Sequence, residues 1–183
     1  MKKISLIILS FLILGCSGSG TGVNLSFEDD KSNSIRAHYQ NYLNNDMDGL
    51  KSLWSPELKV YLNSTESITL EELEVLLQAQ HATFSPIKMS YGAEGATDMG
   101  QWVETASYPP GPSNDAVTVT QTWFNWIATS KLTGETITLP AHISFIWGDD
   151  GKISEEYHMY DTTEMTAAIE ASAAAAAASI PEK

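Results

Sequence analysis

At Pro86 the spacing of apolar residues changes from a helical period to alternation, and that change constrains the fold more than any other feature of the chain. Upstream, Ile35, Tyr39, Tyr42 and Leu43 share one helical face behind Ser34, a candidate N-cap, and Asn44-Asn45 breaks the pattern. Asp46 can cap a second short helix carrying Met47, Leu50, Leu53 and Trp54, which Pro56 stops; residues 58–62 then read as a short strand. Thr69 and Glu72 occupy the reciprocal positions of a capping box, and the helix they open carries Leu70, Leu73, Leu76, Leu77 and Phe84 on one stripe. Downstream, residues 87–91, 102–108, 116–128, 137–147 and 152–160 predict strands, with Tyr108-Pro109-Pro110-Gly111-Pro112 as a stiff loop between two of them. Helices first and a run of strands after them is an α+β order. Residues 162–179 are helix-prone and include an alanine run at 173–178, which favours helix but has little to bury.

The start of the chain carries an address. Met1-Lys2-Lys3 is basic, residues 4–14 are apolar apart from two serines, and Ile13-Leu14-Gly15-Cys16 closes the run. This is the pattern of a secretory leader and is too short for a spanning helix. A cysteine directly after a small residue resembles a bacterial lipobox, in which the thiol is lipidated and becomes the new N-terminus. The expected organisation is a signal peptide at 1–15, a flexible polar tether at 16–33, a folded domain at 34–165 and an Ala-rich helix or tail at 166–183. Removing Lys2 and Lys3 leaves eight basic residues against 23 acidic ones and takes the net charge from −13 to −15. Nucleic acid is excluded as a partner, and attachment to a membrane is expected through lipid on Cys16 rather than through a basic patch. Cys16 is the only cysteine, so no internal disulfide can form. The expected location is the cell envelope; in a Gram-negative cell Ser17, where a retaining Asp would otherwise stand, favours the periplasmic side of the outer membrane.

The last hairpin turns at Asp149-Asp150-Gly151, which allows a two-residue loop or a three-residue loop with Gly151 in the left-handed bulge position. A slip of one residue exchanges the faces of the whole strand. The two-residue register sets Trp147 beside Ser154. The three-residue register sets Trp147 beside Ile153, Phe145 beside Glu155, Ile143 beside Tyr157 and Ala141 beside Met159. The second gathers the apolar residues on one face and is the register expected here. It leaves His142, Ser144, Ser154, Glu156, His158 and Tyr160 on the other face, with the two histidines opposite each other.

Three helices, a long antiparallel sheet and a closing Asp-Gly-Lys-Ile hairpin resemble the nuclear transport factor 2-like superfamily, in its SnoaL-like (polyketide-cyclase-like) branch. The resemblance rests on residues 35–54, on Trp123-Phe124-Asn125-Trp126, on Leu139-Pro140-Ala141-His142 and on residues 149–153 running to Asp161. It implies a cone-shaped, curved antiparallel sheet wrapped around three N-terminal helices, with a pocket between them. It does not imply an activity, because this fold hosts isomerases, cyclases, dehydratases and pure binders.

If the apolar face of the last strand lines that pocket, Glu155, Tyr157 and Asp161 are the polar groups inside it. A carboxylate there suits a general base and a tyrosine hydroxyl suits an oxyanion donor, with His142 in reserve. Asp161 also fits the start of the last helix. Gln121, Trp123 and Asn125 on the neighbouring strand, together with Trp102, would contact a flat apolar ligand. Across the sheet, His142 and His158 with Glu156 nearby form a polar pair suited to an exposed or interfacial face rather than to a metal, and no cofactor is expected. Two functions follow: a binding module for a small apolar molecule or partner, or an enzyme moving a proton next to a carbonyl. The convex sheet face is a candidate homodimer contact.

Overall fold

A computed structural model describes residues 22–90, 99–100 and 102–179; the expected leader, Cys16 and the start of the tether lie outside these residues. Strand β1 (Asn24–Ser26) leads into α1 (Asp30–Leu43) and α2 (Met47–Lys51). Then follow β2 (Trp54–Leu62), β3 (Ser67–Thr69), α3 (Leu70–Thr83), β4 (Phe84–Ser90) and β5 (Met99–Gly100). Strands β6 (Trp102–Tyr108), β7 (Val117–Ser130), β8 (Thr136–Trp147) and β9 (Ile153–Met159) precede α4 (Thr163–Ala178). The strands form a single sheet in the order β1-β6-β7-β8-β9-β2-β3, with β4 sharing the edge of β7 beyond β6. Most pairs are antiparallel, but β2 runs parallel to β9. The curved sheet packs its concave face on α1, α2 and α3, which is the α+β cone expected.

Local chemistry accounts for the helices. Asp29, not Ser34, caps α1: its carboxylate accepts the amides of Lys31 at 2.9 Å and Ser32 at 3.1 Å. Order therefore begins earlier than expected, and β1 and the first turn of α1 occupy part of the segment read as tether. The capping box of α3 forms as the sequence predicts, with Thr69 Oγ1 and the Glu72 carboxylate each receiving the other's amide. Ile35, His38, Tyr39 and Tyr42 recur every three or four residues along α1 and are buried against the sheet. A directed chain of hydrogen bonds fastens the start of that helix. The Trp147 indole can only donate, to Thr120 Oγ1 (2.9 Å), and the hydroxyls of Thr120, Thr105 and Ser32 pass the donation on to Asp29 Oδ2.

The closing hairpin departs from expectation in one residue. Gly151 has φ of 76°, and Trp147 pairs with Ile153 as in the three-residue loop. Beyond that pair the register shifts: Ile146 faces Glu155, Phe145 faces Glu156, Ile143 faces His158 and His142 faces Met159. Ser154 is the extra residue, its hydroxyl donating to the Ile146 carbonyl at 3.2 Å. Both registers weighed from the sequence thus exist, one on each side of a bulge. The consequence is an exchange of faces along β9. Glu156 and His158 are buried on the concave side, whereas Glu155, Tyr157 and Met159 lie on the convex side.

Glu155→Ala is expected to leave the unfolding free energy within about 0.5 kcal/mol of the parent, as for an ordinary surface change. Glu156→Ala should cost ~3 kcal/mol or more, because it strands buried donors. Urea unfolding of the two variants checks this, and equal losses would contradict the bulged register.

Candidate functional site

Between the concave sheet and the helices lies a cavity of about 70 Å³. A single buried water needs roughly 10–15 Å³ measured in this way, so the space admits several waters or part of a small ligand. Its walls are mostly apolar, with Leu50, Leu73, Phe124, Leu139, Ile143 and Phe145 among them. The polar side chains that line it come from α1, α3, β9 and Tyr160 just after β9, with the indoles of Trp54 and Trp126 from β2 and β7.

Glu156 is the centre of that polar group. Only 2% exposed, its carboxylate accepts the Trp54 indole N–H at 2.5 Å on Oε1 and pairs with His158 Nε2 at 2.8 Å through Oε2. Burial pushes the carboxyl pKa up. The His158 hydrogen bond and charge, the nearby His38 and the Trp54 indole together outweigh burial and hold Glu156 below its ordinary value. An ionised Glu156 needs a donor on Oε2, so His158 carries a proton on Nε2, which leaves Nδ1 as the second nitrogen of the ring. That Nδ1 is buried and has no hydrogen-bond partner among the described residues.

His38 is the third member. It packs edge-on to Trp54 at 4.9 Å, and its Nδ1 is likewise buried without a partner among the described residues. Burial drives its pKa down to about 4, against the pull of Glu156 and with the help of His158, so the ring is neutral at pH 7. Two tyrosines of the cavity, Tyr39 and Tyr42, are committed elsewhere. Tyr39 donates to Thr122 Oγ1 at 2.7 Å, which itself donates to the Ile143 carbonyl. Tyr42 accepts the Trp126 indole at 2.8 Å and donates to Gln80 Oε1 at 2.7 Å, and Gln80 Nε2 reaches Met165 Sδ of α4. Burial raises both phenols, and it lifts Tyr160 at the cavity wall to about 12.

The residues expected in the pocket lie elsewhere. Glu155 and Tyr157 do meet, the phenol donating to the carboxylate at 2.6 Å, but on the convex face, where Tyr157 stacks on Tyr61 at 4.6 Å. Asp161 is exposed and receives the Thr163 amide and hydroxyl at 2.9 and 2.6 Å, a turn into α4. His142 is half-buried on the convex side, stacked on Trp123 at 4.7 Å, with Nδ1 3.0 Å from the Thr122 carbonyl. Gln121, Trp123 and Asn125 alternate with the buried Thr122, Phe124 and Trp126 and so face outward; Trp102 is exposed at the same surface. His142 and His158 therefore sit on opposite faces rather than across from each other. Sequence reasoning missed Glu156, His158 and His38 as a set. The available signal was the strict alternation Glu156-x-His158-x-Tyr160, which puts three polar groups on one strand face.

No protein-family model matches the chain, and no curated protein is significantly similar to it. Solved structures do resemble it. The fold is nuclear transport factor 2-like. AclR, a proposed hydroxylase from Streptomyces galilaeus, superposes with a TM-score of 0.55 at 11% identity, covering 76% of this chain and 95% of that one. IdmH, a proposed polyketide cyclase from Streptomyces antibioticus, gives a TM-score of 0.54 at 15% identity, covering 78% and 99% of the two chains. An NTF2-like protein of unknown function from Exiguobacterium sp. 255-15 gives 0.51 at 19% identity, over 70% and 98%. At such identities the likeness is one of architecture: helices on the concave side of a strongly bent sheet.

The His38 pKa sets a pH dependence. In the unfolded chain the imidazole takes up a proton near its ordinary value of 6.5, whereas in the fold it resists until about 4. Below 6.5 the unfolded state therefore binds more protons, and stability falls as pH falls through that window. Between pH 7 and pH 5 the loss from this group is about 2 kcal/mol. Glu156 adds a further loss only at lower pH, below its unfolded value of 4.5. Urea unfolding at pH 7 and pH 5 should show this slope in the parent and a clearly smaller one in His38→Gln.

Proposed function

We propose that this is a lipid-anchored protein of the bacterial cell envelope whose cavity takes a small, uncharged, largely apolar molecule and moves a proton on it next to a carbonyl. The observation that carries the reading is the Glu156–His158 pair: a carboxylate kept ionised and buried, orienting an imidazole whose second nitrogen is unpartnered among the described residues. Glu156 fixes the tautomer and favours the imidazolium that forms when His158 Nδ1 takes a proton. Neutral His38 on the same wall can hold the ligand's oxygen without adding a second charge. The apolar lining excludes ions and leaves these groups unscreened. Anchoring follows from the lipobox-like Leu14-Gly15-Cys16, and the strongly acidic composition leaves lipid as the means of attachment.

A binding module without chemistry is the second reading, and the modest cavity volume favours it. One experiment separates the two. Small cyclic and open-chain ketones incubated with the full-length protein in D₂O, followed by proton NMR, should exchange hydrogen at the carbon beside the carbonyl for at least one compound. Glu156→Gln and His158→Asn should each lower that rate by about 10²-fold or more, as for loss of a general base. Tyr157→Phe and His142→Ala on the convex face should leave it unchanged. Ligand-induced shifts of cavity resonances without any exchange across the panel would support the binder and overturn the enzyme.

A further inference from the structure

Exposed large apolar side chains gather at one corner of the molecule: Val23 (54% exposed), Leu25 (48%), Phe27 (40%) and Trp102 (41%). Leu25 pairs with Ala106, which alternates along β6 to the same convex face as Trp102, and Phe27 meets the Trp102 ring edge-on at 5.1 Å. Cross-strand pairing carries the row from Trp102 through Trp123 and His142 to Met159, itself 57% exposed. The corner is held firmly. Arg36 donates to the Phe27 carbonyl at 2.6 Å and to the Val103 carbonyl at 3.3 Å, and the hydroxyl chain through Ser32 and Thr105 ties α1 to β6 beside it. A rigid apolar patch at the surface marks a contact with something else.

The chain itself indicates what that something is. Cys16 precedes Val23 by seven residues, a reach of no more than about 25 Å even when fully extended. Because β1 takes up residues 24–26, the slack between lipid and domain is far shorter than a tether to residue 33 would give. We propose that the patch of Val23, Leu25, Phe27 and Trp102 rests in the headgroup region of the bilayer that holds the acylated Cys16, so that the domain is docked on the membrane by two contacts. The inference rests on the lipidation of Cys16 set out above. Tryptophan suits that depth, with an apolar ring system and a polar indole N–H, and phenylalanine suits the apolar side of an interfacial contact. Glu28, Asp29 and Asp30 follow Phe27 directly in the chain and Glu104 accepts the Trp102 indole N–H at 2.9 Å, so the fitting surface is zwitterionic rather than anionic.

The test uses full-length protein purified from cells and reconstituted into phosphatidylcholine vesicles with bromine on the acyl chains. Wild-type tryptophan emission should fall relative to plain vesicles. W102F should lose most of that quenching while remaining vesicle-bound through its lipid, and L25E, a surface change, should reduce it. Equal emission in both vesicle types, or undiminished quenching in W102F, would overturn the proposal. So would rapid disulfide cross-linking between copies carrying L25C, which would assign the patch to a second copy of the chain. Intact mass separates the two layers of the argument: acylated but unquenched protein refutes docking alone, and unacylated protein refutes the reading of Cys16 and docking with it.

Discussion

One unpaired residue, Ser154, decides which side of β9 enters the interior. Without the bulge, Ile153 inward would carry Glu155 and Tyr157 inward with it and put Glu156 and His158 on the outside. With it, the strand keeps Ile153 beside Trp147 at the hairpin end and still delivers a carboxylate and an imidazole to the concave face. The cavity, its charge and its candidate chemistry all follow from that shift. Bulges re-aim side chains next to functional sites in many sheets, and here the re-aimed pair is the most polar feature of an otherwise apolar cone.

Burying Glu156 is costly, and the surrounding structure shows how the cost is met. Trp54 sits in β2, more than a hundred residues earlier, and its indole reaches the carboxylate because β2 lies parallel to β9 at the pair Trp54–Ile153. His158 lies two residues along the same strand face and supplies the second donor. Together they keep it ionised against desolvation. The two free imidazole nitrogens of His38 and His158 stand out against this economy. The Tyr39 and Tyr42 hydroxyls and the Trp54 and Trp126 indoles are spoken for, whereas these two are buried polar atoms without a partner among the described residues. Such groups ordinarily have a partner in water or ligand.

Much of the architecture was legible. The capping box at Thr69 and Glu72, the helical face of Ile35, Tyr39 and Tyr42, the long strands after Pro86 and the left-handed Gly151 are local signals, and local signals survive folding. The convolution of β9 was not legible for a physical reason. Judged by hydrophobicity within the hairpin, the register that gathers Trp147, Ile153, Tyr157 and Met159 wins. The register that forms is favoured by Trp54, a tryptophan from another strand far back in the chain, which a pairwise reading of two strands cannot see. The cap of α1 failed for a similar reason: Ser34 is a good cap by type, but Asp29 is the residue that also closes the hydroxyl chain from Trp147 through Thr120, Thr105 and Ser32. The strand faces of β7 were inverted because its concave side carries Thr120 and Thr122, whose hydroxyls are satisfied internally and so read as outward when only apolarity is weighed.

The polar centre of the cavity depends on the Glu156–His158 pair being buried, ionised at the carboxylate and joined through His158 Nε2. Long-range ¹H–¹⁵N correlation spectra of the histidine rings near neutral pH test this directly. The prediction is a His158 ring protonated on Nε2, with a slowly exchanging, strongly downfield Nε2 proton that disappears in Glu156→Gln. A ring protonated on Nδ1 alone, or one whose protons exchange as fast as those of an exposed histidine, would contradict the assignment of β9 to the interior by way of Ser154.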